Sequence, residues 1–283
     1  MPVDYEKEYD NRARVPEHPQ VFARWDAEAA AYRAACPDAI LGISYGPSKR
    51  QTIDLFPGKG AGPSAPLAVF IHGGWWRSLS PVSFSQMAKG LNAHGVSVAV
   101  VGYDLCPTVS IATIAAQMRE ACLTLWRNHG KRMTVYGHSA GGHLTACMVA
   151  TDWRSLDASA PADLVPAGYA ISGVFDLAPL TQVSFNKDLQ LDEAEARCMS
   201  PILWDVPRGR ILDAAVGGIE SSEFLRQSKT MAEEWGKRGV ETRYDPIDGA
   251  NHFTVLDPLT DPDSAMTKRI AELARQVQAI KAH

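Results

Sequence analysis

The sequence predicts an α/β fold, with a mostly parallel central sheet covered by helices on both faces. Three observations predict it. Short apolar runs of strand length alternate with longer segments of helical spacing from residue 51 onward. That alternation is the pattern of parallel strands joined by crossover helices. One run, Met133 to Tyr136, leads through Gly137-His138-Ser139-Ala140-Gly141 into a small-residue segment that reads as a helix. Strand, G-x-S-x-G, helix is the nucleophile-elbow arrangement, in which a tight turn holds a serine oxygen clear of the backbone. The chain has 283 residues, enough to bury one large core of this kind.

The elements follow in order. Residues 1–47 precede the sheet, and Val21 to Ala35 within them sets Phe22, Trp25, Ala29 and Tyr32 along one side of a helix. Gln51 to Phe56 reads as an early strand. Gly58 to Pro66 is a Gly/Pro-rich loop, too short for a domain linker. Leu67 to Ile71 is a buried strand, Phe84 to His94 a first core helix and Val96 to Val101 another buried strand. Ile111 to Asn128 has helical spacing, with Ile114, Met118, Cys122 and Leu125 on one face. Ala167 to Ser172 is the strand after the nucleophile helix. Residues 176–209 interrupt the alternation. Arg210 to Val216 is the penultimate strand, Ser222 to Lys237 a helix, Glu241 to Ile247 the last strand and Ser264 to Lys281 the last helix. The chain reads as a single domain over residues 1–283. Residues 1–47 and 176–209 either fold over the carboxyl ends of the strands as a cap or simply cover apolar surface.

Composition excludes several functions. A formal charge of −4 leaves no basic footprint for nucleic acid. No apolar run approaches the length that spans a bilayer, so no membrane partner is expected. The start, Met1-Pro2-Val3-Asp4-Tyr5-Glu6, lacks the basic beginning and apolar core of a signal peptide. The five cysteines at 36, 106, 122, 147 and 198 show no metal spacing, and their odd number favours reduced thiols in a cytoplasm. A small molecule is the expected partner, and a homodimer stays open.

Two further motifs join the elbow. The strand Leu67 to Ile71 ends in His72-Gly73-Gly74-Trp75-Trp76, where glycines let backbone N–H groups point at a developing oxyanion. The expected donors are Gly74, Trp75 and Ala140. Near the far end, Asp248-Gly249-Ala250-Asn251-His252-Phe253 follows the last strand, and His252 lies 113 residues after Ser139. Among the eight histidines, His18, His94, His129 and His283 sit in polar or terminal settings and read as surface residues. His138 and His143 flank the nucleophile and support packing or the pocket. His252 alone has the position of a general base that takes the serine proton. Its acid partner has three candidates. Glu220 follows the penultimate strand and is best placed; Asp176 follows an earlier strand and suits a turn brace; Asp248 is near His252 but in a solvated loop.

These residues resemble the kynurenine formamidase (arylformamidase) branch of the α/β-hydrolases, close to the hormone-sensitive-lipase-like esterases. The resemblance runs over about residues 67 to 256, through His72-Gly73-Gly74-Trp75-Trp76, Gly137 to His143, Gly217 to Phe224, Arg226-Gln227-Ser228 and Asn251-His252-Phe253. It implies the α/β-hydrolase fold, a triad of Ser139, Glu220 and His252, and no cofactor. Eukaryotic arylformamidases usually carry Asp where this chain has Glu220, and often Tyr where it has Trp75. The histidine- and aspartate-rich signature of metal-dependent bacterial formamidases, H-x-G-T-H-x-D, is absent.

The expected activity is therefore a serine hydrolase of small acyl esters or N-formyl aryl amides, with Trp75, Trp76, His138 and Phe253 lining the substrate pocket. Two other readings stay in view. One is a non-catalytic ligand-binding protein on the same fold, which typically loses a triad residue. The other is a metal-assisted hydrolase using His72, His138 and His143, which lack the ligand grouping of a zinc site.

Overall fold

Alternate residues of single strands feed two separate cores, one on each face of an eight-stranded sheet. In a computed structural model, which describes residues 2–62 and 64–280, Leu67, Val69 and Ile71 pack on one face while Ala68 and Phe70 pack on the other. This is the period-two alternation of a strand buried on both sides. Chain order begins with α1 (Tyr5–Tyr9), α2 (Asn11–Arg14), α3 (His18–Ala35), β1 (Ile40–Ser44), β2 (Thr52–Phe56) and β3 (Leu67–Ile71). It continues with a 3₁₀ segment (Pro81–Ala88), α4 (Lys89–Ala93), β4 (Ser97–Val101), α5 (Ile111–His129), β5 (Thr134–His138), α6 (Ala140–Ala150), α7 (Trp153–Leu156) and β6 (Ala167–Ile171). Then come α8 (Asn186–Leu189), α9 (Glu193–Cys198), β7 (Ile211–Gly217), α10 (Ser222–Lys237), β8 (Glu241–Ile247) and α11 (Ala265–Ala279).

The sheet order is β1-β2-β4-β3-β5-β6-β7-β8. The β1–β2 and β2–β4 pairs are antiparallel and the remaining pairs parallel. Helices cover both faces: residues of α5, α6 and α10 belong to one core, and residues of α3 and α11 to the other. The expected α/β fold is present. Long helices with clear amphipathic spacing fall where the sequence puts them; α5 starts on the Ser110 cap and ends at Gly130 in the left-handed region. The last helix was expected to reach Lys281, which lies outside the described residues, as does His283.

Two local differences have physical reasons. The expected helix from Phe84 to His94 is a 3₁₀ segment followed by one short α-turn. Pro81 starts it, and a Cβ on Gly90 would stand 2.5 Å from the Leu259 carbonyl oxygen, so the chain is held tightly under a neighbouring loop. Strand β1 is an addition. It is mostly exposed and interrupted by Gly42, so no buried apolar alternation announces it.

Candidate active site

Strand β5 ends at His138 and α6 begins at Ala140, so the whole reversal falls on Ser139. That residue has φ 56° and ψ −116°, a region that costs an L-residue on the order of 1–3 kcal/mol. The flanking glycines make the turn sterically feasible. A Cβ on Gly141 would lie 2.0 Å from the Ile71 carbonyl oxygen, and one on Gly137 would lie 2.4 Å from the Gly141 oxygen.

His252 reaches this turn from the loop after β8. Its Nε2 lies 3.1 Å from Ser139 Oγ, and its Nδ1 lies 2.6 Å from Glu220 Oε2. The other carboxylate oxygen of Glu220 accepts from the Gly217 amide at 2.7 Å and from the Ser172 hydroxyl at 2.5 Å. An ionised carboxylate only accepts, so Nδ1 carries the proton and Nε2 presents its lone pair to the serine hydroxyl. The Glu220 side chain is wholly buried, and three donors offset the cost of desolvating it. His138 Nε2 donates to the His252 carbonyl oxygen at 2.7 Å. Burial first, then the neighbouring His252, hold the His138 imidazole well below its ordinary pKa, in its neutral form. The alternative acids stand elsewhere. Asp176 accepts from the Ala178 amide at 3.1 Å, bracing a turn, and Asp248 is exposed in the turn beside Gly249.

The loop after β3 completes the arrangement. A Cβ on Gly73 would meet the Ser139 Cβ at 3.1 Å, and one on Gly74, at φ +110°, would meet the Ser78 oxygen at 2.4 Å. Among the described residues no acceptor takes the amide N–H of Gly74, Trp75 or Ala140. Trp75 and Trp76 both have φ 53°, and their rings stay in contact, with centroids 6.1 Å apart and planes tilted by 57°. Trp75 meets Tyr9, Phe185 and Phe224. Trp76 corrects the sequence reading: it is fully buried, edge-on to His143 at 5.0 Å, and lines no part of the cavity.

Ser139 and His252 open into a cavity of about 200 Å³ that also touches Trp75, His138 and Phe253. Its roof is the amino-terminal segment, with Tyr9 and Asn11, and the insert, with Ser184 and Phe185. A second cavity, of about 740 Å³, lies against Glu220, Ser221 and His252 and runs beneath residues of the same amino-terminal segment. Hydrogen bonds hold that segment down. The Glu6 carboxylate takes the Ser184 amide and hydroxyl at 2.6 Å each, and Glu8 takes the Ser222 hydroxyl at 2.7 Å. The Tyr9 hydroxyl donates to Glu223 at 2.9 Å and accepts from Gln227 at 3.0 Å.

Sequence reasoning missed Ser172, Tyr9 and the His138–His252 contact. Ser172 stands at the carboxyl end of a predicted strand beside the nucleophile strand, which is the one signal that could have marked it. The histidines of the metal reading are engaged separately: His72 Nδ1 with the Gly73 oxygen, His143 Nε2 with the Met199 oxygen, each at 2.7 Å. Burial pushes both imidazoles down to about 4. Among the described residues no helix is long and apolar enough to cross a membrane.

Residues 68–205 match the α/β hydrolase fold family. The chain is 26% identical over 242 residues to a kynurenine formamidase of Danio rerio, covering 83% of this chain and 81% of the relative. It is 27% identical over 243 residues to one of Drosophila melanogaster, covering 80% and 78%. A crystal structure of a candidate thioesterase from Silicibacter sp. TM1040 superposes with a TM-score of 0.84 at 31% identity, covering 95% of this chain and 99% of that one. Thermogutta terrifontis esterase 2 with butyrate bound shares the fold, with a TM-score of 0.60 at 20% identity, over 85% and 93%.

Proposed function

Since the chain belongs to the α/β-hydrolase superfamily, in its kynurenine-formamidase-like branch, we propose that it is a serine hydrolase cleaving small acyl esters or N-formyl aryl amides. The observation that carries this reading is the continuous line Ser139 Oγ, His252 Nε2, His252 Nδ1, Glu220 Oε2, with separations of 3.1 and 2.6 Å. His252 takes the Ser139 proton as Oγ bonds to the substrate carbonyl carbon. The amide N–H groups of Gly74, Trp75 and Ala140 hold the resulting oxyanion. The tetrahedral species collapses as His252 returns its proton to the departing amine or alkoxide, leaving acyl-Ser139. Water then attacks the acyl carbon, giving its proton to His252, which passes it to Ser139 Oγ as the bond to the acyl carbon breaks and the acid leaves.

A cavity of about 200 Å³ is smaller than the roughly 300 Å³ at which drug-sized pockets begin, which favours a short acyl group. Aromatic walls favour a flat remainder. The described cysteines are unbridged, which fits a reducing compartment such as the cytoplasm. The test is turnover of phenyl acetate, phenyl thioacetate and N-formylkynurenine, with mass spectrometry after a serine-directed organophosphate. The expected adduct is on Ser139, with a Ser139→Ala loss on the order of 10⁴-fold or more. An adduct on another serine, or an active Ser139→Ala protein, removes the proposal. Ester turnover without formamide cleavage narrows it to a carboxylesterase.

A further inference from the structure

His138 stands where the three parts of the site meet. It is the last residue of β5 and the covalent neighbour of Ser139, and it is buried. On one side, a Cβ added to Gly73 would lie 3.1 Å from its Nδ1, so the ring backs against the loop that carries the amides of Gly74 and Trp75. On the other, its Nε2 donates to the His252 carbonyl oxygen at 2.7 Å, and the two imidazole centroids are 4.7 Å apart. His252 itself lies in a turn outside every strand and helix. Among the described residues its carbonyl accepts from His138 alone, and its amide N–H donates to none. The main chain at the base is therefore tied by a single hydrogen bond, and that bond comes from the residue next to the nucleophile. Glu220 fixes only the Nδ1 end of the His252 imidazole. A ring held at Nδ1 alone swings Nε2 away from Ser139 whenever its backbone shifts.

We infer that His138 is a positioning residue, whose Nε2–H bond to the His252 carbonyl sets the separation between the base and Ser139 Oγ. The donor suits the task. Burial keeps the His138 ring neutral, so it anchors His252 without setting a like charge beside the imidazolium that would form there. A lysine or arginine donor would repel that imidazolium. The inference deepens the proposed hydrolase function and rests on it for the reaction, though not for the geometry.

Three substitutions separate the hydrogen bond from the packing of the ring. His138→Gln discards the ring and keeps an N–H at the reach of Nε2. His138→Phe keeps a ring and discards the N–H. His138→Asn keeps the amide but ends one methylene short of the carbonyl. The experiment measures kcat and KM on phenyl acetate, a thermal melt for each protein, and the downfield proton resonance of His252 Nδ1–H. A misplacement of about 1 Å can cost about 10²-fold. kcat should therefore fall on the order of 10- to 100-fold in His138→Phe and His138→Asn, with KM within about threefold of wild type. His138→Gln should hold kcat about tenfold or more above both. The Nδ1 proton should stay sharp in wild type and His138→Gln, and broaden by exchange with water in the other two. Equal or higher kcat in His138→Phe than in His138→Gln would assign the effect to ring packing and overturn the inference. So would equal kcat in His138→Asn and His138→Gln, or a loss confined to KM. If His138→Phe does not fold, the comparison of His138→Gln with His138→Asn decides by the same ratio. If the wild-type protein cleaves no ester or formamide, the proposed reaction falls and the Nδ1 resonance decides the positioning role: broadening confined to His138→Phe and His138→Asn upholds it, and one common line shape overturns it.

Discussion

Replacing Glu220 by glutamine keeps the shape of the side chain and changes only one oxygen to NH₂. The surroundings decide where that NH₂ goes. One carboxylate oxygen accepts from two donors, Gly217 N at 2.7 Å and Ser172 Oγ at 2.5 Å, while the other faces His252 Nδ1 at 2.6 Å. An NH₂ group turned toward Gly217 would set donor against donor, with a fixed backbone on the opposing side. The amide therefore keeps its oxygen there and turns NH₂ to His252. Nδ1 must then accept, the imidazole proton moves to Nε2, and the lone pair facing Ser139 Oγ is lost. A triad histidine locked in the wrong tautomer costs about 10⁴-fold in kcat, or about 5 kcal/mol of transition-state stabilisation. The assay is kcat on an aryl acetate from pH 5 to 9, beside a thermal melt to confirm that the protein stays folded. A folded Glu220→Gln protein retaining more than a tenth of wild-type kcat would refute the tautomer argument and return Asp176 to consideration.

Two further outcomes are expected. Below pH 6.5 stability should decline, because unfolding lets His72 and His143 take protons that their folded forms refuse until about pH 4; each contributes on the order of 3 kcal/mol across that window. Melting temperatures from pH 8 to 4.5 measure this, and His143→Gln should flatten the slope; an unchanged slope in that variant would contradict the assignment. Across aryl esters from acetate to decanoate, kcat/KM should peak at the short end, and Trp75→Ala should move the peak to longer chains. A wild-type maximum at decanoate would remove the argument from cavity size.

The tight turn at Ser139 was legible in the sequence because its sterics admit few residues: a carbonyl oxygen 2.0 Å from a hypothetical Cβ at Gly141 leaves glycine almost no substitute. His252 and Glu220 were legible from their places after the last two strands. The parallel strands were legible because burial on both faces forces continuous apolar runs. Ser172 was not, since a serine at a strand end carries no signature of the carboxylate it meets across the sheet. Trp76 misled because adjacency in sequence suggests a shared surface, whereas Trp75 lines the cavity and Trp76, in ring contact with it at 6.1 Å, is fully buried. Tyr9 and Asn11 lie in helices of five and four residues, too short for hydrophobic periodicity to register. The position of Tyr9 depends on Glu223 and Gln227, far along the chain.

That dependence ties the cavity at Ser139 to the order of synthesis. The roof over Ser139 is made from residues that precede every strand of the sheet in sequence, yet its hydrogen bonds close over separations of 178 residues to Ser184 and 214 residues to Ser222 and Glu223. Contacts this distant in sequence carry a large loop-closure cost and form only once the intervening elements are in place. The early segment must wait while four of the five parallel strands after β3 are made and assembled. A nascent chain ending before α10 would expose Ser139 without its cover. The working pocket is thus a late product of folding, and the gain of selective activity can serve as a clock for the final docking step.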